Sequence, residues 1–175
     1  MYDPASLQPG DILLMQASAR EGPLARLLDW AISRSEANPL VHTALVGRGA
    51  IYDPLWHITI SSLDRYAQNG WAFRVNATPE QKAAAVTWAD AHLGQPYGVR
   101  EILADAARYD LHIVLPSWYR WRPHRWTCSG FVTEAYRQAG VILTDAPAPS
   151  PADLSYSPLL VGPRPWEPPT GGSSA

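Results

Sequence analysis

The chain has 175 residues, of which 46% are apolar and only 17% charged, and its formal net charge is −2. That balance supports the hydrophobic core of one domain and excludes a disordered or nucleic-acid-binding chain. A lone cysteine excludes an intrachain disulfide framework, and five histidines at 42, 57, 92, 112 and 124 show no close metal-ligand spacing, so neither a metal nor a cofactor is expected. No apolar run approaches the ~20 residues that span a bilayer. Met1–Ser6 carries neither the basic stretch nor the apolar run of a signal peptide. The expectation is therefore synthesis in the cytoplasm, with later release by lysis or by assembly into a particle left open.

In chain order, Leu7-Gln8-Pro9-Gly10-Asp11 reads as a turn feeding a short apolar strand, Ile12–Met15. Leu24, Leu27, Leu28 and Ile32 recur at helical spacing and predict an amphipathic helix over roughly 23–33. After the break at Asn38-Pro39, Leu40–Gly47 reads as a buried strand. Arg48-Gly49-Ala50 turns the chain back into Ile51-Tyr52-Asp53, which predicts a hairpin. Further strands are expected over Trp56–Ile60 and Trp71–Val75. Thr78-Pro79-Glu80-Gln81 is a helix start with a threonine cap and a first-turn proline, and the helix should run to Leu93 and stop at Gly94. Pro96-Tyr97-Gly98 reads as a turn before a helix over about 99–109. The aromatic segment 111–126 has no assignable structure; its arginines at 120, 122 and 125 interleave with tryptophans and read as a solvated loop. A last regular element follows Cys128 and ends near Gly140. The chain divides into a domain over 1–162 and a proline-, glycine- and serine-rich flexible tail over 163–175.

Cys128 carries the chemistry. Phe131, Val132, Ala135, Tyr136 and Ala139 follow it at helical spacing, which sets the thiol in or near the first turn of a helix whose apolar side faces the core. Free N–H groups and the positive dipole end of a helix N-terminus favour a thiolate there. A nearby base would make it a nucleophile, whereas an inert buried thiol is the alternative. His42 is the leading base: it interrupts the apolar run Leu40–Val46, and burying an imidazole there requires a hydrogen-bond partner, a core histidine satisfied by backbone being the alternative. If 42–47 and 50–53 pair as a hairpin, Asp53 lies across from His42 and can fix its tautomer; it could instead cap the turn at Pro54. His57, between Trp56 and Ile58, is the rival base. Asp11 reads as a loop support and His92 as a structural residue near a helix end, while His112 and His124 stay open.

Cys128-Ser129-Gly130-Phe131-Val132 resembles the nucleophile signature of the NlpC/P60 superfamily of papain-like cysteine hydrolases. Here the histidine strand precedes the cysteine helix, an order similar to the circularly permuted branch (YiiX-like and lecithin:retinol acyltransferase-like proteins). Leu7–Leu13, Val41–Gly47, Gly94–Gly98 and Pro151-Ala152-Asp153-Leu154 fit that branch, so the resemblance covers about 7–160. It implies an α+β, permuted papain-like fold: a small antiparallel sheet packed against helices, with Cys128 and His42 facing each other across that interface. Asp53 falls at the position of the family's third polar residue. Thr127 stands where standard members commonly have an acidic residue.

The resemblance implies a thiol hydrolase with Cys128 as nucleophile, His42 as base and Asp53 as orienting residue. The backbone N–H of Cys128 is the first expected oxyanion donor, and Tyr97, Thr127 and Ser129 are further candidates for oxyanion or substrate contacts. The expected substrate is an amide or peptide bond, such as that of cell-wall peptidoglycan peptide, without nucleic acid or a membrane span. Docking to a larger assembly such as a phage tail fits a catalytic domain without a wall-binding module. The alternatives are a non-catalytic binding or assembly module that keeps the fold, and an acyltransferase or thioesterase acting on a lipid or other acyl substrate.

Overall fold

A computed structural model describes residues 1–16, 39–54, 57–96, 98, 126–147 and 149–163. Several expectations lie outside these residues: the helices over 23–33 and 99–109, Tyr97, His112, His124, the arginines of segment 118–126 and the tail from 164 onward. The described residues form an α+β structure with a six-stranded antiparallel sheet and three α-helices. The strands are β1 (Ile12–Gln16), β2 (Leu40–Val46), β3 (Ile51–Pro54), β4 (Ile58–Ser61), β5 (Gly70–Val75) and β6 (Leu160–Val161), in the order β4-β3-β2-β1-β5-β6. The helices are α1 (Pro79–Asp90), α2 (Cys128–Gln138) and α3 (Pro151–Ser155).

Side-chain alternation along the strands divides the apolar residues between the two faces of the sheet. Ile12, Leu14, Leu45, Tyr52 and Phe73 point to the face covered by the helices, where Ala85, Val86 and Ala89 of α1 and Phe131, Val132, Ala135 and Tyr136 of α2 meet them. Leu13, Met15, Ala44, Val46 and Ile51 point to the other face, closed by Tyr2 and Tyr66. All four α2 residues are fully buried, as their helical spacing predicts. Tyr136 also donates its hydroxyl hydrogen bond to the Gly10 carbonyl, which ties α2 to the turn before β1.

The hairpin β2–β3 and the strand β5 form as expected. Of the strand read over Trp56–Ile60, Trp56 lies outside the described residues, β4 begins at Ile58, and His57 makes an isolated bridge to Pro96. Thr78 caps α1 with a reciprocal box: its hydroxyl accepts from Gln81 N at 3.2 Å and Gln81 Oε1 accepts from Thr78 N at 3.0 Å. The helix ends at Asp90, three residues short of the predicted Leu93, and residues 91–94 complete the stop as a turn. Gly94 and Gly140, at φ +80° and +77°, supply the left-handed residue that ends a helical segment with little strain. The α2 helix is not the last regular element. Ser150 starts α3 with a capping box to Asp153, and β6 then adds an edge strand beside β5.

Candidate active site

The sheet and α2 bring Cys128, His42 and Asp53 into one cluster. Thr127 is in an extended conformation and its hydroxyl accepts from Gly130 N at 3.1 Å, so it is the N-cap that makes Cys128 the first residue of α2. Cys128 is buried, and no acidic residue occupies the first turn of its helix. The thiol therefore sits in the first turn of α2, at the positive end of the helix dipole.

His42 lies near the start of β2, where the pairing with β1 slips: Met15 faces His42 but Gln16 faces Leu40, leaving Val41 as the extra residue. A bulge of this kind re-aims the neighbouring side chains. Across the hairpin, Leu45 faces Tyr52 and Val46 faces Ile51. Continuing that register sets Asp53 opposite Ala44, so Asp53 is the diagonal neighbour of His42 rather than its direct partner, still within reach of long side chains. His42 Nε2 and Asp53 Oδ1 are 2.8 Å apart. The ring also hydrogen-bonds with Cys128. With Nε2 engaged by Asp53, Nδ1 is the nitrogen left for the sulfur.

The same register puts His42, Asp53 and Ser61 on the face away from the apolar stripe of α2. The contact between His42 and Cys128 is thus made by the start of β2 and the first turn of α2, not through the middle of the helix–sheet interface.

Asp53 is fully buried. Its second oxygen, Oδ2, accepts from Ser61 Oγ at 2.7 Å and from Tyr66 Oη at 2.9 Å, and Arg65 Nε lies 3.3 Å away. Burial, the largest single influence, opposes charge on both His42 and Asp53. It is outweighed at His42 by the hydrogen bonds and negative charge of Asp53 and Cys128, which push the imidazole up from 6.5 to about 10. At Asp53 the His42 hydrogen bond and charge, followed by Ser61 and Tyr66, hold the carboxyl below its ordinary value. A cysteine at a helix N-terminus, beside an imidazolium oriented by a buried carboxylate, is an arrangement able to hold a thiolate and shuttle a proton.

The remaining candidates are disposed differently. His57 is exposed and carries its bridge to Pro96 at the edge of the sheet. Ser129, 1% exposed, donates its hydroxyl to the Pro149 carbonyl, so that group fastens α2 to the loop before α3 instead of facing a substrate. Asp11 accepts from Gln8 N at 2.8 Å and from Arg74, bracing the turn before β1. His92 Nδ1 lies 2.7 Å from the Trp88 carbonyl and the two rings stack at 3.7 Å. Among the described residues no group of three or more histidine, cysteine or acidic side chains is placed to hold a metal ion. No described helix is long and apolar enough to cross a membrane.

Ser61, Tyr66 and Arg65 were not singled out by the sequence. For Ser61 a signal existed: once β3 and β4 pair with Asp53 opposite Thr59, Ser61 becomes the diagonal neighbour of Asp53 on the same face. Tyr66 and Arg65 come from an irregular turn and carried none. No protein-family model matches this chain, and a search of curated proteins finds no match either.

Proposed function

We propose that this protein is a thiol hydrolase that cleaves an amide or peptide bond through an acyl-enzyme on Cys128. The observation that carries the reading is the Cys128–His42–Asp53 cluster, with the carboxylate 2.8 Å from Nε2 and the thiol at the capped start of α2. The chain order of histidine strand, acidic strand and cysteine helix supports a permuted papain-like arrangement within the NlpC/P60 superfamily.

In this scheme His42 holds the proton of Cys128, and the thiolate attacks the substrate carbonyl carbon to form a C–S bond and a tetrahedral oxyanion. The Cys128 N–H, in the first turn of α2, is the candidate donor to that oxyanion, and the Tyr97 hydroxyl is a candidate second donor. His42 then gives its proton to the leaving nitrogen as the C–N bond breaks. Water attacks the thioester and loses a proton to His42; the acid departs and the thiolate–imidazolium pair returns. The proposed substrate is bacterial cell-wall peptide, reached as part of a phage tail or virion.

Muropeptide digestion followed by chromatography and mass spectrometry tests this. Native protein should release new amine and carboxyl termini and carry a transient acyl adduct on Cys128. Cys128→Ala should lose turnover by roughly 10⁴-fold or more while its circular dichroism is unchanged. Turnover retained in that variant removes the scheme. Cleavage of acyl esters alone points to thioesterase or acyltransfer chemistry at the same thiol, and an inert thiol points to a binding module.

A further inference from the structure

We propose that Tyr66, with Ser61 beside it, is the positioning residue of the Cys128–His42 pair: the two hydroxyls tie down Asp53 Oδ2 so that Oδ1 stays aimed at His42 Nε2. This inference rests on the thiol-hydrolase reading and extends it to residues that touch neither sulfur nor substrate.

The two carboxylate oxygens of Asp53 have separate tasks. Oδ1 meets His42, while Oδ2 takes Ser61 Oγ at 2.7 Å and Tyr66 Oη at 2.9 Å. Turning the fully buried carboxylate about its Cβ–Cγ bond would break both hydroxyl contacts, and an unmet hydrogen bond on a buried group is expensive. The direction of the Tyr66 hydroxyl is itself set. Arg65 Nε donates to Tyr66 Oη at 3.0 Å, so the phenolic proton is left to point at Asp53. The Tyr66 ring stands edge-on to the imidazole, with centroids 5.8 Å apart and planes inclined at 61°. One side chain therefore limits the tilt of the base and the rotation of its orienting carboxylate. Tyr66 is buried among Tyr2, Leu13, Met15, Ala44, Val46 and Ile51, which hold it in place.

The choice of donors fits the task electrostatically. Neutral hydroxyls stabilise the carboxylate without setting a second buried cation against the imidazolium. The cation that does approach, Arg65, has a side chain 44% exposed and lies on the oxygen away from His42, where water screens it. The charged or titratable groups facing the His42–Asp53 pair among the described residues are Cys128 from α2, Arg65 and Tyr66 from the turn after β4, and Tyr2 from the N-terminal segment.

The test is the rate of Cys128 alkylation by iodoacetamide against pH in native protein, Tyr66→Phe, Ser61→Ala and His42→Ala, with thermal melts alongside. Native protein should react with a midpoint well below the ordinary thiol value of about 8.5, and His42→Ala should abolish that shift. Tyr66→Phe keeps the ring and loses the hydroxyl; its midpoint should rise by about one pH unit and its rate at pH below the native midpoint fall about ten-fold, the scale of one hydrogen bond to a charged group. Ser61→Ala should move the profile in the same direction, and it carries the test if Tyr66→Phe does not fold. A Tyr66→Phe profile that overlays the native one while His42→Ala is shifted overturns the positioning role and leaves the Cys–His reading standing; a lowered melting temperature with an unmoved profile does the same. A native thiol of ordinary pH profile, indifferent to His42→Ala, overturns both.

Discussion

At the scale of single residues, Asp53 can be probed by two substitutions that separate folding from chemistry. Asp53→Ala leaves the imidazole, Ser61 and Tyr66 pointing at an empty acceptor position in a fully buried site. Breaking a buried pair in this way typically costs about 3–5 kcal/mol, and the urea midpoint should fall accordingly. Asp53→Asn fills the space but has one acceptor oxygen instead of two. With that oxygen kept by Ser61 and Tyr66, the amide N–H faces Nε2, which must then accept, and the proton moves to Nδ1 beside the sulfur. The Asn variant should thus fold more stably than the Ala variant while its alkylation rate near pH 6 drops to that of His42→Ala. His42 and Asp53 were legible because a polar residue in an apolar strand demands a partner and a hairpin supplies one. Ser61, Tyr66 and Arg65 were not, because their types are ordinary for a surface strand and turn; only the folded register turns them inward.

At the scale of elements, the start of α2 is governed by a steric relation between Thr127 and Gly130. A methyl group on Gly130 would lie 2.7 Å from Thr127 Oγ1, the atom that caps the helix. Gly130→Ala therefore displaces the cap, which is worth about 0.5–2 kcal/mol, although alanine is otherwise the better helix former by about 1 kcal/mol. A double-mutant cycle separates these opposing effects. Gly130→Ala should be neutral to destabilising with Thr127 present and stabilising in a Thr127→Ala background, as read from urea midpoints; additive effects would mean that the cap does not set this helix start. The apolar stripe and the stop at Gly140 were readable from sequence, because eleven residues span three turns and show a period; the capping role of Thr127 was not, since the resemblance offered that residue as an oxyanion or substrate contact. Five-residue α3 and two-residue β6 are too short to show one, so neither was legible beyond Gly140.

At the scale of the whole molecule, the coupled titration of His42 and Cys128 should be visible in folding stability without any substrate. His42 is raised from 6.5 to about 10 in the fold, so taken alone it stabilises fully below pH 6.5 and its contribution is lost as pH rises through the folded value. Asp53 is lowered from 3.8, so its contribution is present above that value and lost as pH falls through the folded one. The thiol changes the account if it is a thiolate in the folded state. Between pH 6.5 and the free thiol value of about 8.5, the unfolded chain carries one proton on sulfur and the folded protein one on imidazole. The number bound is equal, so the stability of native protein should be level across that interval and decline only above it. Cys128→Ala removes the sulfur's proton from the unfolded state and leaves the Asp53 hydrogen bond and charge to keep His42 raised. Its stability should fall steadily as pH rises past 6.5. Urea unfolding at half-unit pH steps in both proteins distinguishes the cases: a level native curve beside a falling Cys128→Ala curve is the signature of a resting thiolate–imidazolium pair. Parallel falling curves would mean that the folded protein keeps its proton on sulfur, and His42 would then have to act as a base only after substrate binds.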